Sequence, residues 1–302
     1  MIPRRIMVSK KLTIAVIPRG TMHEFWKSIH AGAAKAGEEL GVEIIWKGPL
    51  REDDREDQIK VVENMIIREV DGIVLTPLDD VALRIPVKNA TARGIPVVVF
   101  DTALQSDDPI SLVATDNFVG GQKGGDHLAK LIGKKGKVLL PRYSEGTAST
   151  AKREAGFLEA IGKYPDIEVV SLNQYAGVTV ETAMQVSENI LAPLRSSDGG
   201  LRLDGIFTPN ESSTFGMLRA LKDSNWAGTV TFVGFDSSEQ LVKALAAGEL
   251  HGLVLQDPVN MGYTAVKTLD KHLQGEPIEE HIDPEVPWLL RRTTRSLLCR
   301  RC

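Results

Sequence analysis

Four apolar runs in this chain end in a short polar side chain. Asp101 closes IPVVVF, Asn210 closes DGIFTPN, Asp236 closes VTFVGFD, and Gln256 closes GLVLQ. Each alone reads as a helix N-cap or turn residue, positions that Asp and Asn favour. Gln is a poor cap, and four recurrences at equivalent places open a second reading, that these groups converge on a ligand. Arg153, early in the helical stretch TASTAKREAGF, is either a solvated surface arginine or a fork near a helix start. Facing carboxylates such as Asp101 and Asp236, a guanidinium can bond vicinal hydroxyls in pairs. Phe25 and Trp26 are either the first turn of a buried helix or a platform for a flat apolar face. Aromatic faces for C–H-rich rings, with Asp, Asn, Gln and Arg for hydroxyls, are what a carbohydrate asks of a site. His23, two residues before Phe25, is either a neutral hydrogen-bonding member of the set or a loop residue.

These residues need elements to aim them. Leu12 to Ile17 is short and β-branched enough for a buried parallel strand. Pro18, Arg19 and Gly20 break it. Phe25, Ile29, Ala33, Ala36 and Leu40 then recur at helical spacing until Gly41, and Val42 to Trp46 reads as the next strand. The layout repeats. A polar, charged connection from Gly48 to Gln58 leads to a helix with Ile59, Val62 and Ile66 on one face. Strands at Ile73 to Thr76, Ile95 to Phe100 and Ser111 to Thr115 follow, with a helix ending near Arg93-Gly94. A second set begins with a helix over Asn117 to Ile132. It continues with strands at 137–140, 167–172, 204–208, 229–235 and 252–255, and helices at 150–161, 180–194, 214–222, 239–247 and 261–273. The final segment, Pro284 to Leu298, alternates only weakly. Strands this uniformly apolar fit parallel sheets with helices on both faces, so the chain reads as two successive doubly wound α/β units. In such sheets ligands sit beyond the carboxyl ends of the strands, where the polar residues lie. Lobes joined without a flexible linker share a cleft, a common place for ligands.

At 302 residues, 42% hydrophobic and 25% charged, the composition is that of a soluble globular protein. A net charge of −4 gives no reason to expect nucleic acid or an anionic membrane as partner. No apolar run reaches the roughly 18 residues a spanning helix needs. The basic start MIPRRIMVSKK lacks the apolar core of a signal peptide; the chain is either cytosolic or has lost its export signal to processing. Cys299 and Cys302 form C-R-R-C, half a zinc site or a redox pair by spacing, but no further cysteine completes a thiolate site. The pair reads as part of a disordered tail without chemistry. G-x-G-x-x-G after the first strand, G-x-x-x-x-G-K-[ST] and G-x-S-x-G are absent, which removes dinucleotide, phosphate-loop and nucleophile-elbow readings. His30 and His127 lack metal-ligand spacing, so neither a metal nor a cofactor is expected.

At these residues the sequence resembles the periplasmic sugar-binding proteins of the ribose-binding type, a family related to the effector domains of lactose-repressor-like regulators. The likeness runs from about Lys11 to Gln274, with landmarks in order: HEFWKSIHAGA, DGIVLTP, GIPVVVFD, ATDN with GG, REAGF, DGIFTPNE, GMLRAL, FVGFD, LVLQDP and MGY. The resemblance implies two Rossmann-like lobes, each a parallel sheet flanked by helices, joined by a three-segment hinge near Thr115-Asp116, near Gln256-Pro258 and after Asp283. It implies an N-terminal lobe of 11–115 plus 257–284, a C-terminal lobe of 116–256 plus 285–298, and tails at 1–10 and 299–302. Phe25 and Trp26 match the family's stacking aromatics; Asp101, Arg153, Asn210, Asp236 and Gln256 match its hydrogen-bonding residues. Three departures stand out. Thr102 follows the strand-end aspartate where ribose binders tend to carry arginine, His23 replaces a usual asparagine, and Val178, with Tyr175 nearby, stands where the second lobe often adds an aromatic.

The implied protein is a monomeric, non-enzymatic, periplasmic or otherwise extracytoplasmic receptor. It would close around a pentose, hexose or related polyol and deliver it to a membrane ABC-type permease, with no nucleic-acid partner. The site would be His23, Phe25, Trp26, Asp101, Thr102, Arg153, Asn210, Asp236 and Gln256. Two other readings compete: a sugar-responsive transcription regulator lacking its helix-turn-helix, and a sugar-converting enzyme using Asp101 and Asp236 as a carboxylate pair.

Overall fold

The computed structural model describes residues 11–171, 173–284, 288–292 and 297–301. The chain begins β1 (Thr13–Ile17), α1 (Glu24–Leu40), β2 (Glu43–Trp46), α2 (Arg55–Ile67), β3 (Gly72–Leu75), α3 (Arg84–Ala92), β4 (Val97–Phe100) and β5 (Ser111–Val113). It continues α4 (Asn117–Leu131), β6 (Gly136–Leu139), α5 (Ala148–Gly162), β7 (Ile167–Val169), α6 (Val180–Leu191), β8 (Gly205–Phe207), α7 (Glu211–Asp223), β9 (Thr231–Phe235), α8 (Glu239–Ala247) and β10 (Gly252–Leu255). The last elements are α9 (Pro258–Leu273), β11 (His281–Ile282), β12 (Trp288–Arg292) and β13 (Leu297–Arg301).

The apolar runs become inner strands because every second residue faces an opposite core. In β1, Ile14 and Val16 meet Trp26, Ile29 and Ala33 of α1 with Met261, Ala265 and Leu269 of α9. Ala15 and Ile17 meet Val61, Val62 and Met65 of α2 with Val87 and Ala90 of α3. Each full burial of such a side chain contributes about 1.5–3 kcal/mol. The first sheet runs β11-β5-β4-β3-β1-β2, parallel throughout. The second runs β13-β12-β10-β9-β8-β6-β7, parallel except that β12 pairs antiparallel with both β10 and β13. This is the expected fold class, an α/β protein of two parallel-sheet lobes. Counting from each lobe's own first strand, both central sheets have the order second, first, third, fourth, fifth. The order therefore reverses between β1 and β3, and again between β6 and β8, the crevices where doubly wound sheets hold ligands.

Three passages join the lobes. From β5 the chain enters α4, which packs on β8, β9 and β10; from β10 it returns into α9, which packs on β3, β4 and β5; from β11 it reaches β12 beside β10. Two crossings are made tight by glycine. A Cβ on Gly121 of α4 would lie 1.9 Å from the Arg153 carbonyl of α5, and one on Gly32 of α1 would lie 1.9 Å from the Val259 carbonyl of α9.

Several expectations need correction. The charged connection from Gly48 to Gln58 becomes helix from Arg55: Asp54 accepts from the Asp57 amide at 2.9 Å, and Glu56 and Asp57 sit in the first turn of α2, where the helix dipole favours them. The helix placed over 180–194 ends at Leu191 and tightens into a 3₁₀ turn, Ala192–Leu194. The charged run before Pro284 hides the two-residue strand β11, too short for alternation to register. Cys299 is not in a disordered tail: β13 pairs antiparallel with β12, Cys299 standing opposite Leu290. An otherwise open β12 edge needs such a partner. Cys302 and the Met1 to Lys10 tail lie outside the described residues. Among the described residues no group of three His, Cys, Asp or Glu could hold a metal ion.

Candidate functional site

Between the carboxyl ends of the two sheets lies a small hollow of about 40 Å³. Eight of the nine expected residues line it: His23, Phe25, Trp26, Asp101, Arg153, Asn210, Asp236 and Gln256. Thr102 does not. It is fully buried behind Asp101, its hydroxyl 3.1 Å from Asp101 Oδ2 and 2.7 Å from Ser149 Oγ. A threonine is too short to reach past the aspartate, so it supports the site from behind.

The capping alternative holds for one residue of the four. Asn210 caps α7, accepting from the Ser213 amide at 3.2 Å, and also lines the hollow. Asp101 caps no helix, α8 is capped by Ser238, and α9 by Asp257 beside Gln256. Both aspartates instead hold left-handed backbone, φ 61° at Asp101 and 65° at Asp236. That conformation costs an L-residue about 1–2 kcal/mol, and strain of this kind concentrates where a side chain must be aimed.

Arg153 lies between them. Its Nη2 is 4.0 Å from Asp101 Oδ1 in the first lobe and its Nη1 is 3.6 Å from Asp236 Oδ2 in the second. Nε donates to Asn117 Oδ1 at 2.7 Å and Nη1 to the Pro209 carbonyl at 3.0 Å, while the guanidinium lies 3.9 Å over the Phe235 ring. The surface reading of Arg153 is thereby excluded, as it is only 3% exposed. Burial pushes both aspartates above the usual carboxylate range and Arg153 below its own, with their mutual attraction opposing each shift. Asp236 also accepts from Gln256 Nε2 at 2.7 Å and from the Glu211 amide at 3.2 Å. Gln256 Oε1 is buried and accepts from no described residue.

The structure adds residues the sequence reading passed over: Arg19, Glu52, Tyr143, Ser149, Thr150, Glu211 and Ser212. Arg19 and Tyr143 lie just past β1 and β6, so the strand-end rule reaches them once extended beyond the residue directly after the strand. Gln58 ties the loop of Arg19 down by donating to the Pro18 carbonyl at 3.0 Å and the Thr76 carbonyl at 2.9 Å. Glu154 holds the Tyr143 loop, accepting from the Tyr143 amide at 3.0 Å and Arg142 Nε at 2.7 Å. Glu52 carries no strand-end signal at all. It accepts from Trp26 Nε1 at 2.8 Å and Tyr143 Oη at 2.9 Å, with Arg19 Nε at 3.7 Å and His23 Nε2 at 3.6 Å. Phe25 and Trp26 meet edge to face, ring centres 5.0 Å apart. Tyr143 supplies the second lobe's aromatic, whereas Tyr175, bridged to Arg142, is not on the hollow.

The lobes are shut around this space. Phe25 N donates to Glu211 Oε2 at 3.3 Å, Arg19 Nη2 to Thr147 Oγ1 at 3.1 Å and the Asp80 amide to the Gly146 carbonyl at 3.2 Å. Thr102–Ser149 and Tyr143–Glu52 cross the same gap. No described helix is long and apolar enough to cross a membrane.

A family profile described as a periplasmic binding protein domain matches residues 14–277. The ribose import binding protein RbsB of Haemophilus influenzae is 30% identical over 270 residues, covering 89% of this chain and 88% of that protein. A carbohydrate transporter solute-binding protein of Agrobacterium radiobacter, solved in complex with D-arabinose, is 30% identical with TM-score 0.88 over 95% of this chain and 97% of its own. An ABC transporter solute-binding protein of Agrobacterium vitis with bound D-fucose is 32% identical with TM-score 0.86, over 93% and 95%.

Proposed function

Because the chain belongs to the periplasmic binding protein family, we propose that it is an extracytoplasmic, non-enzymatic receptor for one monosaccharide, handing it to an ABC-type permease. The observation that carries this is Arg153 held between Asp101 of one lobe and Asp236 of the other, inside a hollow floored by Phe25 and Trp26. Carboxylate and guanidinium edges bond hydroxyl pairs, and aromatic faces take the C–H side of a sugar ring. Relatives described with ribose, D-arabinose, D-fucose, alpha-D-tagatopyranose and xylitol support a pentose, a hexose or a related polyol. The lobes are those of residues 11–115 plus 257–284 and 116–256 plus 285–298. The sugar binds one lobe first and closure adds the other lobe's bonds, so the shut, monomeric form is the one offered to the permease.

Calorimetric titration with D-ribose, D-arabinose, D-allose and D-fucose tests the reading. At least one binds, and Asp236→Ala weakens it tenfold or more while the protein still melts cooperatively. Charge-assisted bonds of about 1.5–3 kcal/mol each set that scale. If no monosaccharide binds, the receptor assignment is wrong; if affinity survives the substitution, Asp236 leaves the site.

A further inference from the structure

Three groups on the hollow have no role once Asp101, Arg153 and Asp236 have theirs: Arg19, Glu52 and Tyr143. Arg19 is 3% exposed, Glu52 8%, and Tyr143 fully buried. A buried ion pair seldom stabilises a fold better than an apolar pair of the same size, so its presence on a ligand hollow asks for another use. Glu52 has both oxygens engaged: one takes the Trp26 indole N–H at 2.8 Å and the other the Tyr143 hydroxyl at 2.9 Å. Arg19 is not fully engaged. Its Nη2 donates to Thr147 at 3.1 Å, but its buried Nε donates to no described residue, and Glu52 Oε2 at 3.7 Å is beyond hydrogen-bond length. Buried guanidinium N–H groups without an acceptor are rare. One on the wall of a hollow points to an acceptor that the ligand brings.

We propose that Arg19, Glu52 and Tyr143 form a second polar subsite beside Trp26, in which the Arg19 Nε–H donates to one oxygen of the bound sugar and so selects among monosaccharides. The inference rests on the sugar-receptor reading above. Within it Glu52 is a positioning residue: it fixes the guanidinium through charge and the indole through a hydrogen bond, and touches the sugar with neither oxygen. Tyr143 comes from the opposite lobe, so the subsite is complete only when the lobes are shut. Arg153 and Arg19 then read different oxygens of one ring. A sugar lacking the oxygen met by Arg19 loses affinity for that reason alone.

The test titrates wild type with D-ribose, D-arabinose, D-allose and D-fucose, then with each monodeoxy analogue of the sugar bound most tightly. One analogue is expected to bind at least tenfold more weakly than its parent. In Arg19→Met that difference collapses to within twofold, because the parent has lost the same bond, while the other analogues keep their wild-type penalties. Arg19→Lys retains the charge beside Glu52 and removes Nε, and carries the same readout if the methionine variant does not fold. Glu52→Gln, as a positioning change, shrinks the same difference without abolishing it. Parent affinity unchanged in both Arg19 variants overturns the proposal, as does an equal loss for parent and all analogues. A wild type that binds no monosaccharide overturns the receptor reading and this inference together; binding that falls in Asp236→Ala but not in Arg19→Lys overturns this inference alone.

Discussion

Glu211 is the residue on which pH acts most directly. Its carboxyl is pushed up to about 7, first by burial and then by the Asp236 charge, with Glu24 and Glu52 adding to the rise and the Phe25 amide opposing it. Asp236 shares the lobe of Glu211, whereas Phe25, Glu24 and Glu52 belong to the other, so closure adds burial and the charges of Glu24 and Glu52 to the rise. A carboxyl whose pKa rises on closure binds its proton more tightly in the shut form, and protonation therefore favours that form. The advantage is lost as pH rises from the ordinary carboxylate range through about 7, and changes little beyond. Sugar affinity should thus be about tenfold higher at pH 5.5 than at pH 8, about 1.4 kcal/mol. In Glu211→Gln, whose amide oxygen can still accept from Phe25, that ratio should shrink severalfold; the remaining dependence comes from Asp101 and Asp236, which burial shifts the same way. An equal pH dependence in both proteins by titration calorimetry would exclude Glu211 as its source. Sequence reasoning found the aspartates because type and position agreed: short acids directly after apolar strands. It missed Glu211, one residue past Asn210, because an acid at a helix start reads as dipole complement. Glu52 was illegible for a different reason. It sits in a run of exposed charges, and only the folded contacts single it out.

Among elements, the helix pair α4 and α5 decides where Arg153 stands. Gly121 lets the two backbones touch, and Gly156 does the same from the other side, where an added Cβ would meet the Phe118 carbonyl at 2.0 Å. Gly121→Ala must drive the helices apart at Arg153, the residue proposed above to bond the sugar. We expect a loss of about 1–3 kcal/mol of stability and a fall in sugar affinity of tenfold or more. Gly162→Ala, at the end of α5 and with nothing within 4 Å of the added carbon, should leave affinity unchanged. Melting temperature and calorimetric titration on both variants check this, and equal affinities would separate the helix crossing from the site. The central strands and most helices were readable because burial on both faces writes continuous apolar runs. The ends were harder. Two residues of β11 carry no period, and β12 with β13 form an antiparallel edge whose Arg-rich pattern hides the alternation. The glycines of α4 read as an absent nucleotide motif when their use is close packing.

At the scale of the whole molecule, residues of both lobes line the hollow and hydrogen bonds join the lobes beside it, so the proposed receptor mechanism has ligand enter when the lobes part. Thr102 and Ser149 give a handle on that motion, their hydroxyl oxygens lying 2.7 Å apart across the gap. Thr102 lies behind Asp101 rather than on the hollow, and a disulfide of about 2.05 Å fits between side chains that close. In Thr102→Cys/Ser149→Cys, with Cys299 and Cys302 replaced by serine, oxidation without sugar should abolish binding because the shut hollow cannot be entered. Oxidation after saturation with the bound monosaccharide should retain it through extended dialysis, and reduction should restore exchange in both samples. In the proposed motion the chain bends at 114–116, at 256–257 and after Asp283 while each lobe's sheet stays intact, so the cross-link should alter exchange without altering strand or helix content. A cross-linked protein that takes up and releases sugar as fast as its reduced form would mean that the hollow fills by a route other than lobe opening, and the receptor mechanism proposed above would have to be abandoned.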